Sequence, residues 1–374
     1  MTKITFNDFL LQSKIQKQKY VRACQKVIDS GWYILGQEVE KFEHEFAAFL
    51  GVKFCIGVAN GLEALQISLM ALNIGAGDEV ITTPFSAVAT TLAILAVGAK
   101  PVFVDVDENG LINADLIEKA ITKKTKAILP VHLFGHPVNL IKIKQLCKKY
   151  QLFLIEDAAQ AHGSQYRHQY LGTFGDLGCF SFYPTKNLGA IGDGGAIVTN
   201  NKKLADECKK IANYGQKSKY VHTVYGLNSR LDELQAAILR IKLPYLATAN
   251  HRRRQVAKWY QQLLSSIPQI NMIEEPAGAE SNYHLFVIVT EQRNQLQAYL
   301  KEKGIETLVH YPLSIPDQPF YQTQQFRPKQ TVWNNSRHLA ECVLSLPCYS
   351  SLSLTQVKTI VSEINHFFIS QYKS

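Results

Sequence analysis

The chain has 374 residues, of which 46% are apolar and 19% charged, and its formal net charge is +9. This length exceeds one comfortable hydrophobic core, and this composition is typical of an ordinary globular protein, which excludes the disordered and fibrous classes. No apolar run reaches the roughly 20 residues of a membrane helix, and residues 1–8 carry no signal-peptide pattern. A cytoplasmic protein is expected.

Metal sites, disulfides and nucleic-acid binding are not predicted. The seven cysteines are scattered without a C-x-x-C pair, which is typical of small buried hydrophobes. His132 and His136 are four residues apart, but Gly135 and Pro137 place them at a strand exit rather than on one helix face. The basic residues are dispersed apart from the run at 252–254, for which we expect a solvated helix face, because no recognisable nucleic-acid motif accompanies them.

The first half of the chain alternates apolar strands with amphipathic helices. Helices are predicted at 13–29, 37–50, from 62 to 70, and at 86–97, 113–121 and 138–150, and strands at 54–58, 79–82, 101–105, 126–131 and 152–155. This rhythm favours a parallel sheet covered by helices on both faces. In such sheets the ligand lies at the carboxyl ends of the strands.

The second half is predicted to contain the link to a smaller domain. A strand at 196–199, a helix at 202–212 and an irregular loop at 214–225 come first. A long helix then begins at Asn228 and continues past Trp259. Beyond it we expect strands at 285–289 and 305–309 and helices near 291–303 and 354–370. The predicted large domain covers 1–245, with its N-terminal helices near the active site, and the small domain covers 246–374.

Lys186 follows the short apolar strand at 180–183 and the break at Pro184, and four of the seven residues from 189 to 195 are glycine. Small residues let a flat ligand approach the amine, so Lys186 is a candidate Schiff-base nucleophile. A surface lysine beside an ordinary chain reversal is the alternative interpretation. The motif alone does not decide between them.

Two further features point to the same chemistry. The strand–glycine–helix junction at Asn60 and Gly61 is typical of a phosphate site, and Asp157 follows a predicted strand at its carboxyl end. Pyridoxal phosphate needs a lysine that binds it, a carboxylate that keeps its pyridine nitrogen protonated, and a helix N-terminus for its phosphate. The sequence offers all three.

With these motifs the chain resembles the DegT/DnrJ/EryC1/StrS family of nucleotide-sugar aminotransferases. The resemblance covers nearly the whole chain, and its motifs are residues 31–36, 60–65, 77–82, 156–160, 180–195, 226–237 and 310–312. It implies an α/β fold of the fold type I pyridoxal-phosphate (PLP) aminotransferases. In that fold a large domain with a mostly parallel, helix-covered sheet is joined to a smaller C-terminal α+β domain.

The resemblance implies roles for individual residues around the cofactor. Lys186 would bind pyridoxal 5'-phosphate and act as the catalytic base. Asp157 would pair with the pyridine nitrogen and Gln160 with the phenolic oxygen. The remaining cofactor contacts would be the backbone amides of Gly61 and Leu62, the Ser181 hydroxyl, and Asn228 reaching the phosphate of a neighbouring subunit. The last contact implies a homodimer with active sites at the subunit interface.

The resemblance also implies residues that face the substrates. These are Tyr33, Tyr183, Arg230, His310 and Tyr311, with Arg230 as the candidate ligand of the donor carboxylate. His162 either borders the hexose or makes a structural hydrogen bond. Ala87 departs from the family pattern, because many members place an aromatic ring there to stack on the cofactor. Stacking by this residue is not expected, and Phe85 would replace it only if the loop were shifted.

Residues 187–195 look like the branch that aminates C-3 of 3-keto-6-deoxyhexoses. The implied reaction is transamination of a dTDP-linked 3-keto-6-deoxyhexose by L-glutamate, giving a dTDP-3-amino-3,6-dideoxyhexose for a surface glycan of the O-antigen or S-layer type. One alternative is a C-4 aminotransferase acting on a UDP-, dTDP- or GDP-linked 4-keto sugar. Another, from a different class, is a non-catalytic PLP-binding regulator.

Overall fold

The structure is a computed structural model, and it describes residues 3–8, 14–323 and 332–371. Twelve α-helices lie within these ranges. They are α1 (Lys14–Ser30), α2 (Gln37–Leu50), α3 (Gly61–Ala71), α4 (Ala89–Ala96), α5 (Ala114–Ala120), α6 (Leu140–Tyr150), α7 (Lys202–Ala212), α8 (Glu233–Lys242), α9 (Leu246–Leu264), α10 (Arg293–Glu302), α11 (Asn334–Cys342) and α12 (Leu354–Gln371). The predicted first helix starts at residue 13, which lies outside the described residues.

The same ranges contain fifteen β-strands, most of them short. They are β1 (Phe54–Val58), β2 (Glu79–Thr82), β3 (Lys100–Phe103), β4 (Thr125–Ile128), β5 (Phe153–Asp157), β6 (Gln165–Tyr166), β7 (Gln169–Tyr170), β8 (Leu177–Ser181), β9 (Gly195–Thr199), β10 (Gln216–Ser218), β11 (Val221–His222), β12 (Asn271–Met272), β13 (Ala279–Glu280), β14 (Phe286–Val289) and β15 (Val343–Leu346). Seven of them form the main sheet in the order β1-β9-β8-β5-β4-β2-β3.

The main sheet is parallel except at one strand. Neighbouring pairs from β8 to β3 run parallel, whereas β9 is antiparallel to both β1 and β8. The carboxyl ends of β1, β5 and β8 therefore meet at one edge of the sheet, where Asp157 ends β5, Ser181 ends β8 and Asn60 follows β1. This confirms the predicted α/β fold with a mostly parallel, helix-covered sheet.

The helix predicted from Asn228 past Trp259 is wrong in two respects. Helix α8 begins only at Glu233, and a 3₁₀ turn at Leu243–Tyr245 separates it from α9. Pro244 lies in that turn, and a proline has no N–H to donate and its ring clashes with the preceding helical turn. Asn228 consequently lies in a loop, where it forms an isolated bridge with Asn213.

The strand predicted at 305–309 is also wrong. Its backbone bonds alternate between two partners, because the Glu306 amide donates to the Ile4 carbonyl at 2.9 Å and the Leu308 amide to the Ser345 carbonyl at 3.2 Å. The third strand of this small sheet is instead β15, and the sheet has the order β12-β14-β15. Leu344 and Leu346 of β15 are fully buried, so burial rather than alternation marks this strand.

One apolar cluster is built from residues of α9, α10, α12, β14 and β15 together with Ile4. A second cluster, around the main sheet and its covering helices, also includes Leu285, Val287, Leu339 and Val343, so part of the second half of the chain packs into the same core. Helix α9 starts at Leu246, so the predicted boundary between 245 and 246 falls at a helix start, and it remains a prediction. None of the described helices is both long and apolar enough to cross a membrane.

Candidate active site

We call residues 182–194, which connect β8 to β9, the lysine loop. The loop turns directly after β8, where the Lys186 amide donates to the Tyr183 carbonyl at 2.9 Å. A Cβ on Gly189 would stand 2.4 Å from the Pro184 carbonyl oxygen. Only glycine allows this close approach of two backbone segments, so the sequence of the loop fixes the turn that presents Lys186.

The amine of Lys186 lies in an environment that disfavours positive charge. Burial lowers its pKa to about 8, and the attraction of Asp157 acts in the opposite direction. Three histidines interact electrostatically with the amine, and burial lowers the pKa of each, for His162 to about 3, for His310 to about 4 and for His284 well below its usual value. Neutral neighbours and a lowered pKa make Lys186 a competent base near neutral pH.

Asp157 is buried at the end of β5 and has spare hydrogen-bonding capacity. One carboxylate oxygen accepts from the Thr90 hydroxyl at 2.7 Å and the other from the Ala159 amide at 3.1 Å. Burial raises its pKa, while the Thr90 and Ala159 hydrogen bonds and the charge of Lys186 act against that rise. A carboxylate with this environment favours a cationic partner, because such a partner would offset its desolvation.

The preceding residue, Glu156, has no such spare capacity. Its carboxylate accepts from the ring of His132 at 2.9 Å and from the backbone amides of Gly172, Phe174 and Gly175 at 2.9, 2.6 and 2.8 Å. His132 is thereby engaged by Glu156, whereas the ring of His136 contacts the Ser281 hydroxyl at 2.7 Å. The two histidines do not converge on a common ligand.

The N-terminus of α3 provides the phosphate-type site. The Asn60 side chain accepts from the Glu63 amide at 2.9 Å, and the Asn60 carbonyl accepts from the Ala64 amide at 3.1 Å. Helix geometry leaves the amides of Gly61 and Leu62 without intrahelical acceptors. A Cβ on Gly61 would stand 2.7 Å from the Ser181 Cβ, so the glycine allows the predicted phosphate donors and the Ser181 side chain to lie next to each other.

Gln160 and Tyr311 are joined directly. The Gln160 side chain accepts from the Phe134 amide at 2.6 Å and donates to the Tyr311 hydroxyl at 3.2 Å. Burial raises the pKa of Tyr311 to about 12, so the phenol remains a neutral hydrogen-bonding group. The adjacent His310 contacts the Ser345 hydroxyl through Nδ1 at 2.9 Å. A predicted cofactor residue and a predicted substrate residue are thus parts of one buried contact.

His162 is fully buried, and its ring packs against Phe180 and Phe182 with centroids 5.4 and 5.7 Å away. Neither ring nitrogen has a hydrogen-bond partner among the described residues. The Ser181 backbone lies near the His162 ring and acts against the lowering of its pKa. Both predicted roles of His162 stay predictions. Phe85 is buried too, with its ring edge toward Tyr311.

Arg230 and Asn228 contact each other directly. Arg230 donates to the side chains of Asn228 and Asn213, and its guanidinium lies 5.2 Å from the centroid of the Tyr214 ring. Asn228 and Arg230 also line a cavity of about 540 Å³ that Asn60 reaches. Arg230 is thus engaged within its own chain. Its predicted role toward the donor carboxylate stays a prediction.

The two predicted tyrosines, Tyr33 and Tyr183, are half exposed, at 50% and 51%. The loop that carries Tyr33 is held by a residue that the sequence reasoning missed. Glu233 is buried and accepts from the amides of Gly36, Glu38 and Val39 at 2.8, 2.8 and 3.0 Å. A carboxylate at a helix N-terminus is a general stabilising arrangement. Glu233 lies within the motif quoted at 226–237, although no role was predicted for it.

Thr90 was missed as well, although its hydroxyl donates to Asp157, the carboxylate that is predicted to bind the cofactor.

One group of potential metal ligands lies outside this site. Glu291, His338 and Cys342, from the segment before α10 and from α11, have ligand atoms within 4.8 Å of one another. Cys342 lies 3.4 Å from a Glu291 oxygen and 3.8 Å from His338 Nδ1. No sequence signal predicted this group, and its three residues come from the second half of the chain.

The groups at the sheet edge fit pyridoxal 5'-phosphate. They comprise a lysine amine with a lowered pKa, a buried carboxylate with spare acceptor positions, and a helix N-terminus whose first residue, Gly61, lies against the Ser181 side chain. Each matches one chemical requirement of that cofactor. The fold and the site together define a fold type I PLP-dependent enzyme.

Comparison with known proteins specifies the family. The profile of the DegT/DnrJ/EryC1/StrS aminotransferase family matches residues 14–365. A dTDP-3-amino-3,6-dideoxy-alpha-D-galactopyranose transaminase of Aneurinibacillus thermoaerophilus is 44% identical over 96% of this chain and 98% of its own. The erythromycin biosynthesis sensory transduction protein EryC1 of Saccharopolyspora erythraea is 44% identical over 92% of this chain and 93% of its own. Further relatives are named for UDP- and GDP-linked sugars.

Solved structures agree with this assignment. DesV of S. venezuelae, determined with a ketimine intermediate, is 40% identical with a TM-score of 0.95 and covers 98% of this chain and 99% of its own. NtdA of Bacillus subtilis, determined with bound PMP, is 31% identical with a TM-score of 0.90 and covers 98% of this chain and 85% of its own. The chain belongs to the DegT/DnrJ/EryC1/StrS aminotransferase family. It is a PLP-dependent sugar nucleotide aminotransferase, which confirms the predicted class of enzyme and its cofactor.

Proposed function

We propose that the protein transfers an amino group from L-glutamate to C-3 of a dTDP-linked 3-keto-6-deoxyhexose, giving a dTDP-3-amino-3,6-dideoxyhexose for a surface glycan of the O-antigen or S-layer type. The observation that carries the transaminase chemistry is Lys186, whose amine has a pKa of about 8 and interacts with buried Asp157. A buried amine of this acidity would take a proton from carbon and return it within each half-reaction.

The residues at the sheet edge would hold the cofactor in one orientation. Gly61 and Leu62 amides and the Ser181 hydroxyl would bind the phosphate, Asp157 the ring nitrogen and Gln160 the phenolic oxygen. The cofactor supplies an electron sink when its ring nitrogen is protonated. Asp157 would keep that proton in place, because burial makes the carboxylate favour a cationic neighbour. Ala87 stands where many family members have an aromatic ring that stacks on the cofactor, so this residue supplies no stacking.

Lys186 would carry the proton between the donor and the cofactor. At a pKa of about 8 a substantial fraction of the amine is neutral near physiological pH, so it can accept a proton from carbon and return it. The neutral histidines around it add no competing positive charge. His310, Tyr311, Tyr183 and Tyr33 would face the sugar nucleotide, and Arg230 the donor carboxylate.

The position of amination is supported by residues 187–195 and by a relative. The transaminase from Aneurinibacillus thermoaerophilus is named for a dTDP-3-amino-3,6-dideoxy sugar and is 44% identical to this chain. The carrier nucleotide has weaker support, since relatives are also named for UDP- and GDP-linked sugars. A C-4 aminotransferase is the alternative, and a panel of 3-keto and 4-keto nucleotide sugars with product NMR would separate them. Amination only at C-4 would refute the proposed position.

A cytoplasmic homodimer would complete the site, because Asn228 is proposed to reach the phosphate in the partner subunit. Exposed aromatic residues support such an interface: Trp32, Tyr220 and Tyr225 are 64%, 80% and 81% exposed. Inactive Lys186→Ala and Asn228→Ala proteins should regain part of the activity when mixed, since hybrid dimers contain one intact site. Proven subunit exchange without recovery would count against the shared site.

The decisive test of the chemistry uses two lysines of similar acidity. Burial also lowers the pKa of Lys242 to about 8, and its amine donates to the Gly189 carbonyl at 2.6 Å. After borohydride reduction with PLP, mass spectrometry should find the cofactor on Lys186 in the wild type and in Lys242→Ala, but not in Lys186→Ala. Loss of the label without loss of amino exchange from glutamate would overturn the proposal, and labelling without any exchange would favour a non-catalytic regulator.

A further inference from the structure

Four buried or partly buried polar side chains connect the lysine loop to the second half of the chain. Asn187, the residue after Lys186, donates through Nδ2 to the Asn250 side chain at 2.8 Å and to the Asn282 carbonyl at 3.1 Å. Its oxygen lies 3.3 Å from His284 Nδ1. Asn250 belongs to α9, and Asn282 and His284 precede β14. We call these four residues the asparagine network.

The other side of the asparagine network holds the segment that carries Gln160. Asn250 donates to the His162 carbonyl at 2.8 Å, and Asn282 donates to the carbonyls of Gln160 and His162 at 3.0 Å each. One orientation of each asparagine side-chain amide therefore satisfies all of these hydrogen bonds. Two parts of the proposed active site, Lys186 and Gln160, are joined through the same side chains.

The backbone leaves room for these side chains at two glycines. A Cβ on Gly135 would stand 2.0 Å from the Asn282 Oδ1, and a Cβ on Gly163 would stand 2.7 Å from the Asn250 Nδ2. Both glycines have positive φ, at 97° and 75°, where larger residues are strained as well. The network therefore occupies space that the surrounding fold leaves free only because glycine stands at both positions.

If the asparagine network were purely structural, it would need only to satisfy buried amides, and it would need no contact with the residue next to Lys186. Asn250 and Asn282 are nearly completely buried, and unsatisfied amides at that depth would be costly. Their connection to the residue after Lys186, rather than to distant backbone alone, indicates a second role. Asn187 fixes the backbone from which the lysine side chain extends, so a small displacement of Asn187 moves the amine.

We propose that Asn187 is a positioning residue for Lys186, held by Asn250 and Asn282, so that the second half of the chain sets where the amine lies relative to Asp157. This inference rests on the proposed role of Lys186. The groups facing the amine are Asp157, His162, His284 and His310. If Asn187 is removed, the lysine loop relaxes and water reaches the amine.

The test makes two measurements, the rate of the half-reaction in the PLP-loaded enzyme and the pKa of Lys186 in the cofactor-free protein. In stopped-flow reactions of PLP-loaded enzyme with L-glutamate, Asn187→Ala should slow the half-reaction roughly tenfold or more, with little change in the apparent affinity for glutamate, because displaced reacting groups cost rate. In the full chain without cofactor, competitive acetylation followed by mass spectrometry should show the Lys186 pKa rising by roughly half a unit or more toward the ordinary lysine value.

Asn139→Ala is the matched control, since Asn139 accepts from the Lys142 amide at 3.1 Å at the start of α6 and lies outside the network. It should lose similar thermal stability without changing either readout. Asn250→Ala should reproduce the effects of Asn187→Ala, and the double variant should be no worse than either single variant, because residues that act as one unit are not additive.

The inference is wrong if Asn187→Ala keeps the wild-type half-reaction rate and Lys186 pKa, or if the effects of the two variants multiply. If Asn187→Ala does not fold, Asn250→Ala alone decides by the same two measurements. Failure of the proposed function would look different: the wild type itself would not bind PLP through Lys186 or would not react with glutamate.

Discussion

Glu156 and Asp157 are adjacent carboxylates at the end of β5, and they differ in how far the protein satisfies them. Glu156 accepts four hydrogen bonds, from His132 and from the amides of Gly172, Phe174 and Gly175. Asp157 accepts two, from Thr90 and Ala159, and burial raises its pKa. Successive residues of a strand point to opposite faces, so the two carboxylates meet different surroundings.

The comparison separates a structural acid from an acid available to a ligand. Glu156 ties the segment at 172–175 to β5, and its acceptor positions are used within the chain. Asp157 keeps acceptor positions free in a buried place, which is costly for the protein alone and becomes favourable once a cationic group lies beside it. The number of hydrogen bonds that each carboxylate accepts, more than its burial, distinguishes the two roles.

The largest effect is expected for Asp157→Asn. Loss of a buried charge that holds a cationic ring nitrogen corresponds to about 3–5 kcal/mol, so transamination should fall by roughly a hundredfold to several thousandfold. Because the Asp157 pKa is raised in the folded protein, the charged carboxylate opposes folding at neutral pH. The melting temperature of cofactor-free Asp157→Asn should therefore equal or exceed that of the wild type, and a clear decrease would contradict this account.

Glu156→Gln should mainly lower stability, whereas Asp157→Asn should mainly lower activity. An amide in place of the carboxylate presents a donor to groups that are themselves donors, so the free energy of unfolding should fall by about 2–4 kcal/mol. Urea denaturation of the cofactor-free protein measures this loss. Glu207→Gln is the control, since Glu207 forms a partly exposed ion pair with Lys210 at 2.6 Å and should lose less than about 1 kcal/mol.

Thr90→Val is expected to have a smaller effect, confined to Asp157. Removing one hydrogen bond to a charged group, worth about 1.5–3 kcal/mol, should lower the transamination rate by roughly tenfold to a hundredfold. The neighbouring Thr91 supplies a matched control, because its hydroxyl is buried and has no hydrogen-bond partner among the described residues. Thr91→Val should retain activity. Equal losses in both variants would show that packing rather than the hydrogen bond matters.

The smallest expected effect is on the pH dependence of PLP capture. Only the neutral amine of Lys186 attacks, and its pKa is about 8, so the rate of capture by the cofactor-free protein should rise about fivefold from pH 7 to pH 8 and level off after about a further doubling. The Asp157 charge raises the Lys186 pKa. Asp157→Asn should consequently shift this break to lower pH, whereas Glu156→Gln should leave it near 8.

Much of the fold was predictable because the main sheet follows local patterns. The strands that form its centre are short apolar runs, and helix α7 was predicted with the bounds that the structure has. The errors occur where a single residue or a distant partner decides. Pro244 ends α8 inside an otherwise helical pattern. The segment at 305–309 pairs with residues near Ile4 and Ser345, which no local pattern reveals.

The candidate site was predictable where a residue type has one dominant use. A lysine among glycines and an acid at a strand end indicate the cofactor once they occur together with a phosphate-type turn. Thr90 was not predictable, because its contact with Asp157 joins positions 67 residues apart, and a threonine at the start of a helix has many ordinary roles. Asn250 and Asn282 were missed for the same reason, since their partners come from three separate segments.

The pairing of Ser181 with Gly195 gives the lysine loop a practical property. Both ends of the loop leave the sheet at one paired position, so changes within residues 182–194 need not alter the register of β8 against β9. The rest of the loop is tied to the scaffold by hydrogen bonds from Asn187 to Asn250 and Asn282 and from Lys242 to Gly189. An exchange of the loop between relatives would therefore need these partners to be carried over with it.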